Sequence, residues 1–111
     1  MDKLEKYRDC IQTIILDHAH RGSSEDGVEA ETIFDVERDH YQLIYVGWHR
    51  KNRVYGPVLH FDIRQGKIWI QWNGTEEEVG PRLVEMGVPK QDIVVGFHSP
   101  FKRQFTEYAV G

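Results

Sequence analysis

The sequence predicts an α+β fold: an antiparallel β-meander of four to five strands, with an N-terminal helix and a second short helix packed on one face. Three observations support this prediction. Apolar residues first recur every three or four positions, the period then changes to two, and short turn-forming segments separate the alternating runs. Because hairpin-length turns join antiparallel neighbours, we expect consecutive strands to pair in chain order.

The first helix is predicted over residues 2–20, where apolar side chains at helical spacing form one stripe. This stripe comprises Leu4, Tyr7, Ile11, Ile14, Ile15 and His18. The segment 21–27 ends the helix, because it contains two glycines among polar residues. Cys10 lies beside the stripe and has no neighbouring base in the sequence. We therefore expect a buried or half-buried thiol, not a nucleophile.

Four strands follow the first helix, in segments rich in β-branched and aromatic residues that polar turns separate. They are predicted at 29–35, 40–49, 54–63 and 68–72. Gly56 and Pro57 interrupt the third of these strands. Because proline cannot donate a hydrogen bond to a strand ladder, a bulge or a sheet edge is expected at this point.

A second helix is predicted after the fourth strand, because Thr75 and Glu78 have the spacing of a capping box. Pro81 is unfavourable in a helix interior. A short helix that begins at Gly80, with the proline in its first turn, is therefore preferred over a kinked helix that begins at residue 76.

The C-terminal part of the chain is predicted to contain one more strand. Gly87 is suited to end the second helix, and a short strand then covers 93–97. A turn follows at 98–100. The remaining segment, 101–111, is rich in aromatic residues, and we expect it to pack on the body of the protein or on a partner.

The composition indicates one domain, residues 1–111, with 40% apolar and 29% charged residues. The formal net charge of -4 disfavours duplex binding as a main activity, because such affinity depends largely on neutralising phosphates. The chain has one cysteine, a charged N-terminus without an apolar signal core, and no apolar run near the ~18 residues of a membrane span. These features predict a cytoplasmic protein.

The six histidines raise the question of a metal site. His60 and Asp62 are two residues apart in a predicted strand, so they share one face and are able to ligate the same ion. A hydrolytic site from Asp35, Asp39 and His40 is a further hypothesis, although such residues are also ordinary turn formers. Histidines at the edge of a core or on the surface are more common than ligands. The prediction is accordingly no enzyme, no metal and no cofactor.

One basic hairpin is a candidate contact for nucleic acid. Arg50, Lys51 and Arg53 form a predicted turn, with Trp48 before it and Tyr55 after it. The alternative is a charged turn that only favours solubility.

The C-terminal aromatic and basic residues are the candidate contacts for a partner protein, because such side chains are common in interface hot spots. The candidates are His98, Ser99, Phe101, Arg103, Phe105 and Tyr108. The alternative is a tail that packs only on its own core. Both interpretations stay open at the level of sequence.

Several runs spread over nearly the whole chain resemble one known family, the XisI family of fdxN-element excision controlling factors. The chain departs from the family at 79–81, where a plainer helix start is expected. The runs that carry the resemblance are 4–8 (LEKYR), 39–43 (DHYQL), 46–48 (VGW), 54–56 (VYG), 59–63 (LHFDI), 66–71 (GKIWIQ), 87–94 (GVPKQDIV), and 96–100 (GFHSP) leading to Arg103.

The resemblance implies an accessory regulatory factor that controls site-specific excision of a DNA element. A separate recombinase performs strand exchange in that system, and a companion protein, XisH, resembles nucleases. A XisH-like protein is therefore the implied partner, and the recombinase is a second one. The family has no established catalytic residues to transfer. Two alternatives are a DNA-binding directionality factor and a metal-dependent hydrolase that uses His60 and Asp62. An edge near Pro57 or the aromatic tail is a candidate homodimer contact.

Overall fold

A five-stranded sheet, with its strands in chain order, forms the centre of the computed structural model, which describes residues 2–111. In chain order the elements are α1 (Lys3–Arg21), β1 (Val28–Asp35), β2 (His40–His49), β3 (Asn52–Arg64), β4 (Lys67–Asn73), α2 (Val79–Glu85), a 3-10 turn (Lys90–Asp92), β5 (Ile93–Val95) and α3 (Pro100–Arg103). The α+β class is confirmed.

The first four strands form the predicted meander. Each pairs antiparallel with the next, and short turns join them. The turn between β2 and β3 is shorter than predicted, because Arg53 pairs with Trp48 and Asn52 pairs with His49. Only Arg50 and Lys51 form the turn, so the third basic residue of the candidate DNA contact belongs to a strand.

The fifth strand differs from the predicted antiparallel pattern. It pairs parallel to β4, with Ile68 opposite Ile93 and Ile70 opposite Val95. A helical crossover, α2, connects the two strands, and such a connection returns the chain to the end at which β4 began. The strand also ends earlier than predicted, at Val95, because the backbone of Gly96 to His98 turns away: the His98 N–H donates to the Val95 carbonyl at 3.1 Å.

One hydrophobic core lies between the helices and one face of the sheet, here called the covered face. The predicted stripe of α1 is confirmed, because Ile11, Ile14 and Ile15 are fully buried, and Cys10 is buried as well. Leu83 brings α2 into the same core. The prediction that both helices pack on one face is therefore correct.

The opposite face, here called the open face, exposes large apolar side chains. About half or more of the surface of Ile33, Trp48, Tyr55 and Trp72 is exposed. Within residues 2–111, no helix has the length and the apolar character that crossing a membrane requires.

Two irregularities change the register of β3. The first is the predicted bulge near Pro57: Leu43 pairs with Leu59 and Ile44 with Pro57, so Val58 is the extra residue. The second skips Gln71 of β4. This extra residue directs its amide to Asp62 on the open face, with Nε2 at 3.0 Å from Oδ2.

The second helix begins at Val79, one residue before the predicted start, with Pro81 in its first turn. The predicted end is confirmed, because Gly87 follows the helix with a φ of 100°, which favours glycine. The predicted capping box does not form. Thr75 instead closes the turn after β4, where its Oγ1 donates to Asn73 Oδ1 at 2.6 Å.

Candidate functional site

A buried carboxylate on the open face is the centre of a cluster of hydrogen-bonded polar side chains. Side chains along a strand alternate between faces. Phe61 and Ile63 therefore enter the core, while His60 and Asp62 point to the open face. Asp62 is only 2% exposed.

Four side chains satisfy this carboxylate, and together they are called the Asp62 cluster. His40 Nδ1 lies 2.8 Å and His60 Nε2 lies 2.9 Å from Oδ1 of Asp62. Gln71 Nε2 donates to Oδ2 at 3.0 Å, and Arg64 Nη2 donates to the same oxygen at 3.2 Å. A charge that is removed from water is costly unless it is hydrogen-bonded. The four donors explain how the buried carboxylate is tolerated.

The protonation of Asp62 reflects a balance of two effects. Burial raises the pKa of the carboxyl group, while hydrogen bonds from His40, Gln71 and His60 lower it, and the net pKa lies below the ordinary value. The carboxylate is therefore ionised at neutral pH and available as an anionic ligand or acceptor.

The structure brings a third residue to the predicted pair of possible metal ligands. The ligand atoms of His40, His60 and Asp62 all lie within 4.8 Å of one another. That His60 and Asp62 share a face is confirmed. The sequence interpretation missed His40 as their partner. The pairing of His40 with Asp62 depends on the β2–β3 register, which the bulge at Val58 shifts by one residue.

The predicted hydrolytic set does not assemble, since its two other carboxylates have partners of their own. Asp35 accepts a hydrogen bond from the backbone N–H of Arg38 at 3.1 Å and so closes the β1–β2 turn. Asp39 accepts from Arg8 Nε at 2.8 Å and so ties α1 to the sheet. Both are structural roles.

The basic hairpin places an arginine near two aromatic rings on the open face. The Arg53 guanidinium lies 5.5 Å from the ring centroid of Trp48 and 5.9 Å from that of Tyr55. The two rings are 56% and 72% exposed. Arg50 and Lys51 are exposed at the turn. The hairpin therefore offers two aromatic faces and three cations to solvent.

The predicted partner contacts near the C-terminus divide into two groups. Phe101 and Phe105 are 69% and 73% exposed, and their ring centroids lie 5.3 Å apart, edge to face. Here they are called the aromatic pair. Ser99 supports them, because its Oγ caps α3 by accepting from the Lys102 N–H at 3.2 Å.

The other group holds the C-terminal segment on the body. The Arg103 guanidinium lies 5.1 Å from the ring centroid of Trp69, and its Nε donates to the His98 carbonyl at 3.0 Å. Tyr108 packs against the core. Its hydroxyl oxygen approaches Gly80 so closely that a Cβ atom at position 80 would lie only 2.7 Å from it. Arg103 and Tyr108 therefore pack on the protein's own body, whereas the exposed rings of Phe101 and Phe105 remain accessible to a partner.

A recess of about 400 Å³ separates α2 from the C-terminal segment. Its lining includes Val79, Phe97, His98 and Tyr108. Burial lowers the pKa of His98, with contributions from the charges of Lys102 and Arg103. The recess is thus lined mainly by apolar groups beside a weakly basic imidazole.

A second carboxylate cluster joins the two helices on the covered side. Glu77 Oε1 lies 2.9 Å from His18 Nε2 and 3.1 Å from Arg82 Nη1. Arg82 also pairs with Asp17 of α1. Burial raises the pKa of Glu77, but the hydrogen bonds from His18 and Arg82 lower it below the ordinary value. This Glu77 cluster is a structural link.

Fold and site together define a small α+β protein whose sheet carries a hydrogen-bonded polar cluster and exposed aromatic side chains on its open face. The chain belongs to the XisI family: the family model described as XisI protein matches residues 1–110. The resemblance predicted from the sequence is confirmed.

Two solved structures from Anabaena variabilis ATCC 29413 are similar to this chain. One is a XisI-like protein, with 45% identity, a TM-score of 0.91, and coverage of 97% of this chain and 99% of that one. The other is the fdxN element excision controlling factor XisI, with 39% identity, a TM-score of 0.86, and coverage of 99% and 100%. No curated protein sequence matches the chain.

Proposed function

We propose that this protein is an accessory factor that controls site-specific excision of a DNA element by binding a XisH-type protein. The observation that carries the proposal is the family match over residues 1–110. A relative of known structure, 39% identical, is an fdxN element excision controlling factor. The proposal assigns no catalytic step to this chain.

The aromatic pair is the proposed contact with the XisH-type protein. Phe101 and Phe105 expose more than two thirds of their surface. Aromatic side chains are enriched in the central, desolvated part of protein interfaces. The pair is also held in a defined place, because Arg103 fixes α3 to Trp69 and to the backbone of His98. A fixed apolar pair loses little side-chain entropy on binding.

Co-expression with a XisH-type protein, followed by light scattering on the purified material, tests the proposal. We expect a complex of defined stoichiometry, and we expect Phe101→Ala/Phe105→Ala to weaken it at least tenfold. Tyr55→Ala is the matched control, because that ring is equally exposed but lies on the β2–β3 hairpin. A chain that remains free of the XisH-type protein overturns the proposal. A complex that tolerates the double substitution moves the contact elsewhere.

Direct contact with DNA through the basic hairpin is the second candidate function. The observation that favours it is the position of Arg53 within cation–π distance of two exposed aromatic rings, a combination suited to phosphates and unpaired bases. In a mobility-shift assay we expect binding that weakens steeply with salt and is lost in Arg50→Ala/Arg53→Ala. Absence of a shift at micromolar protein and low salt rejects this candidate.

A further inference from the structure

We propose that His40, His60 and Asp62 form a binding site for a first-row divalent metal ion, with zinc as the reference ion. This inference goes beyond the proposed function and does not depend on it. The three residues come from two neighbouring strands, β2 and β3, which hold their backbones in a paired register. A site on paired strands has less freedom to distort than a site on loops.

The spacing of the ligand atoms suits a common ion. His40 Nδ1 and His60 Nε2 lie 2.8 Å and 2.9 Å from Asp62 Oδ1. Two ligand atoms that are each about 2.1 Å from a metal lie roughly 3 Å apart at a right angle and roughly 3.4 Å apart at a tetrahedral angle. The three atoms therefore occupy one side of a coordination sphere with small movements of the side chains. The remaining positions face the open side of the sheet.

The donor set also has the chemistry that zinc and its neighbours prefer. Two imidazoles and one carboxylate match the ligand types of catalytic zinc sites and of facial sites for non-haem iron. The ligand atom of each imidazole is the nitrogen that lies beside Asp62 Oδ1, Nδ1 of His40 and Nε2 of His60. A ligating imidazole carries its proton on the other ring nitrogen. Water can accept a hydrogen bond from that N–H, because the side chains of His40 and His60 are 48% and 28% exposed.

The other carboxylate oxygen of Asp62, Oδ2, accepts hydrogen bonds from two further side chains. Gln71 and Arg64 both donate to Asp62 Oδ2, which fixes the carboxylate plane and leaves Oδ1 to the imidazoles. Such partners typically orient metal-ligating groups. Arg64 has a second effect, since its positive charge repels a cation. Its side chain is 56% exposed, so solvent screens part of this repulsion.

The chain is prepared without a histidine tag and titrated with zinc chloride in a calorimeter, which tests the site. The absorption spectrum of the cobalt(II) form reports the ligand geometry. We expect one ion per chain. His40→Ala and His60→Ala each weaken binding at least tenfold, while His20→Ala, which removes an exposed histidine of α1, changes it less than twofold. Arg64→Gln tightens binding, because it removes the repelling charge and retains a hydrogen-bond donor.

Thermal unfolding by circular dichroism shows that each variant is folded before it is titrated. Zinc should raise the melting temperature of the wild type and of His20→Ala, but not that of His60→Ala. Absence of binding at one ion per chain overturns the proposal. Binding that His40→Ala and His60→Ala leave unchanged also overturns it, because the metal is then an adventitious ion only.

Discussion

The two faces of the sheet remove side chains from water in different ways. On the covered face, Leu59 and Phe61 are fully buried by apolar packing beneath the helices. On the open face, Asp62 is almost as buried, but four hydrogen-bond donors surround it. The comparison shows that the covered face supplies stability, whereas the open face keeps polar and aromatic groups in defined positions within reach of solvent.

The largest expected effect concerns the covered face. Phe61→Ala removes a fully buried ring and leaves a cavity, so we expect the free energy of unfolding to fall by about 3–5 kcal/mol. Urea denaturation followed by circular dichroism measures this change. Trp72 lies on the open face and is 48% exposed, so Trp72→Ala is the control and should lower the free energy of unfolding much less. Equal losses in the two variants would contradict the contrast between the faces.

A smaller loss of stability is expected from a substitution at Asp62, in the centre of the open face. Asp62→Asn preserves size but places an amide N–H₂ against groups that already donate hydrogen bonds. We expect the free energy of unfolding to fall by about 1–3 kcal/mol, the usual range for unsatisfied buried polar groups. The same urea experiment measures it, with His60→Ala as a milder control. An unchanged stability would show that water readily replaces the cluster.

The Glu77 cluster predicts a pH dependence. Its carboxyl group has a lowered pKa in the folded protein, because the hydrogen bonds from His18 and Arg82 outweigh the effect of burial. Its contribution to stability is thus present above the unfolded pKa of about 4.3 and is lost as pH falls through the lower folded value. We expect Glu77→Gln to be less stable than wild type at pH 7, with a difference that shrinks below pH of about 4. Urea unfolding at a series of pH values measures this difference, and a constant difference would contradict the prediction.

Local patterns explain why much of the fold was predictable. Alternation along residues 59–63 is enough to place His60 and Asp62 on one face and Phe61 on the other. The contribution of His40 was not predictable, because its position depends on the bulge at Val58. The parallel pairing of β5 was missed although the predicted helix between the fourth and fifth strands is the connection that parallel neighbours require. The register that brings His40 to Asp62, in contrast, results from long-range packing, for which no short run of residues carries a signal.

The smallest effect on stability is expected at the aromatic pair. Phe105 is 73% exposed, so Phe105→Ala gives up little buried surface and should change the free energy of unfolding by about 0.5 kcal/mol or less. The same substitution should weaken binding to a XisH-type protein, since an interface would bury the ring. Urea denaturation and light scattering on one preparation measure both quantities. A large loss of stability would mean that the ring belongs to the fold and not to a binding surface.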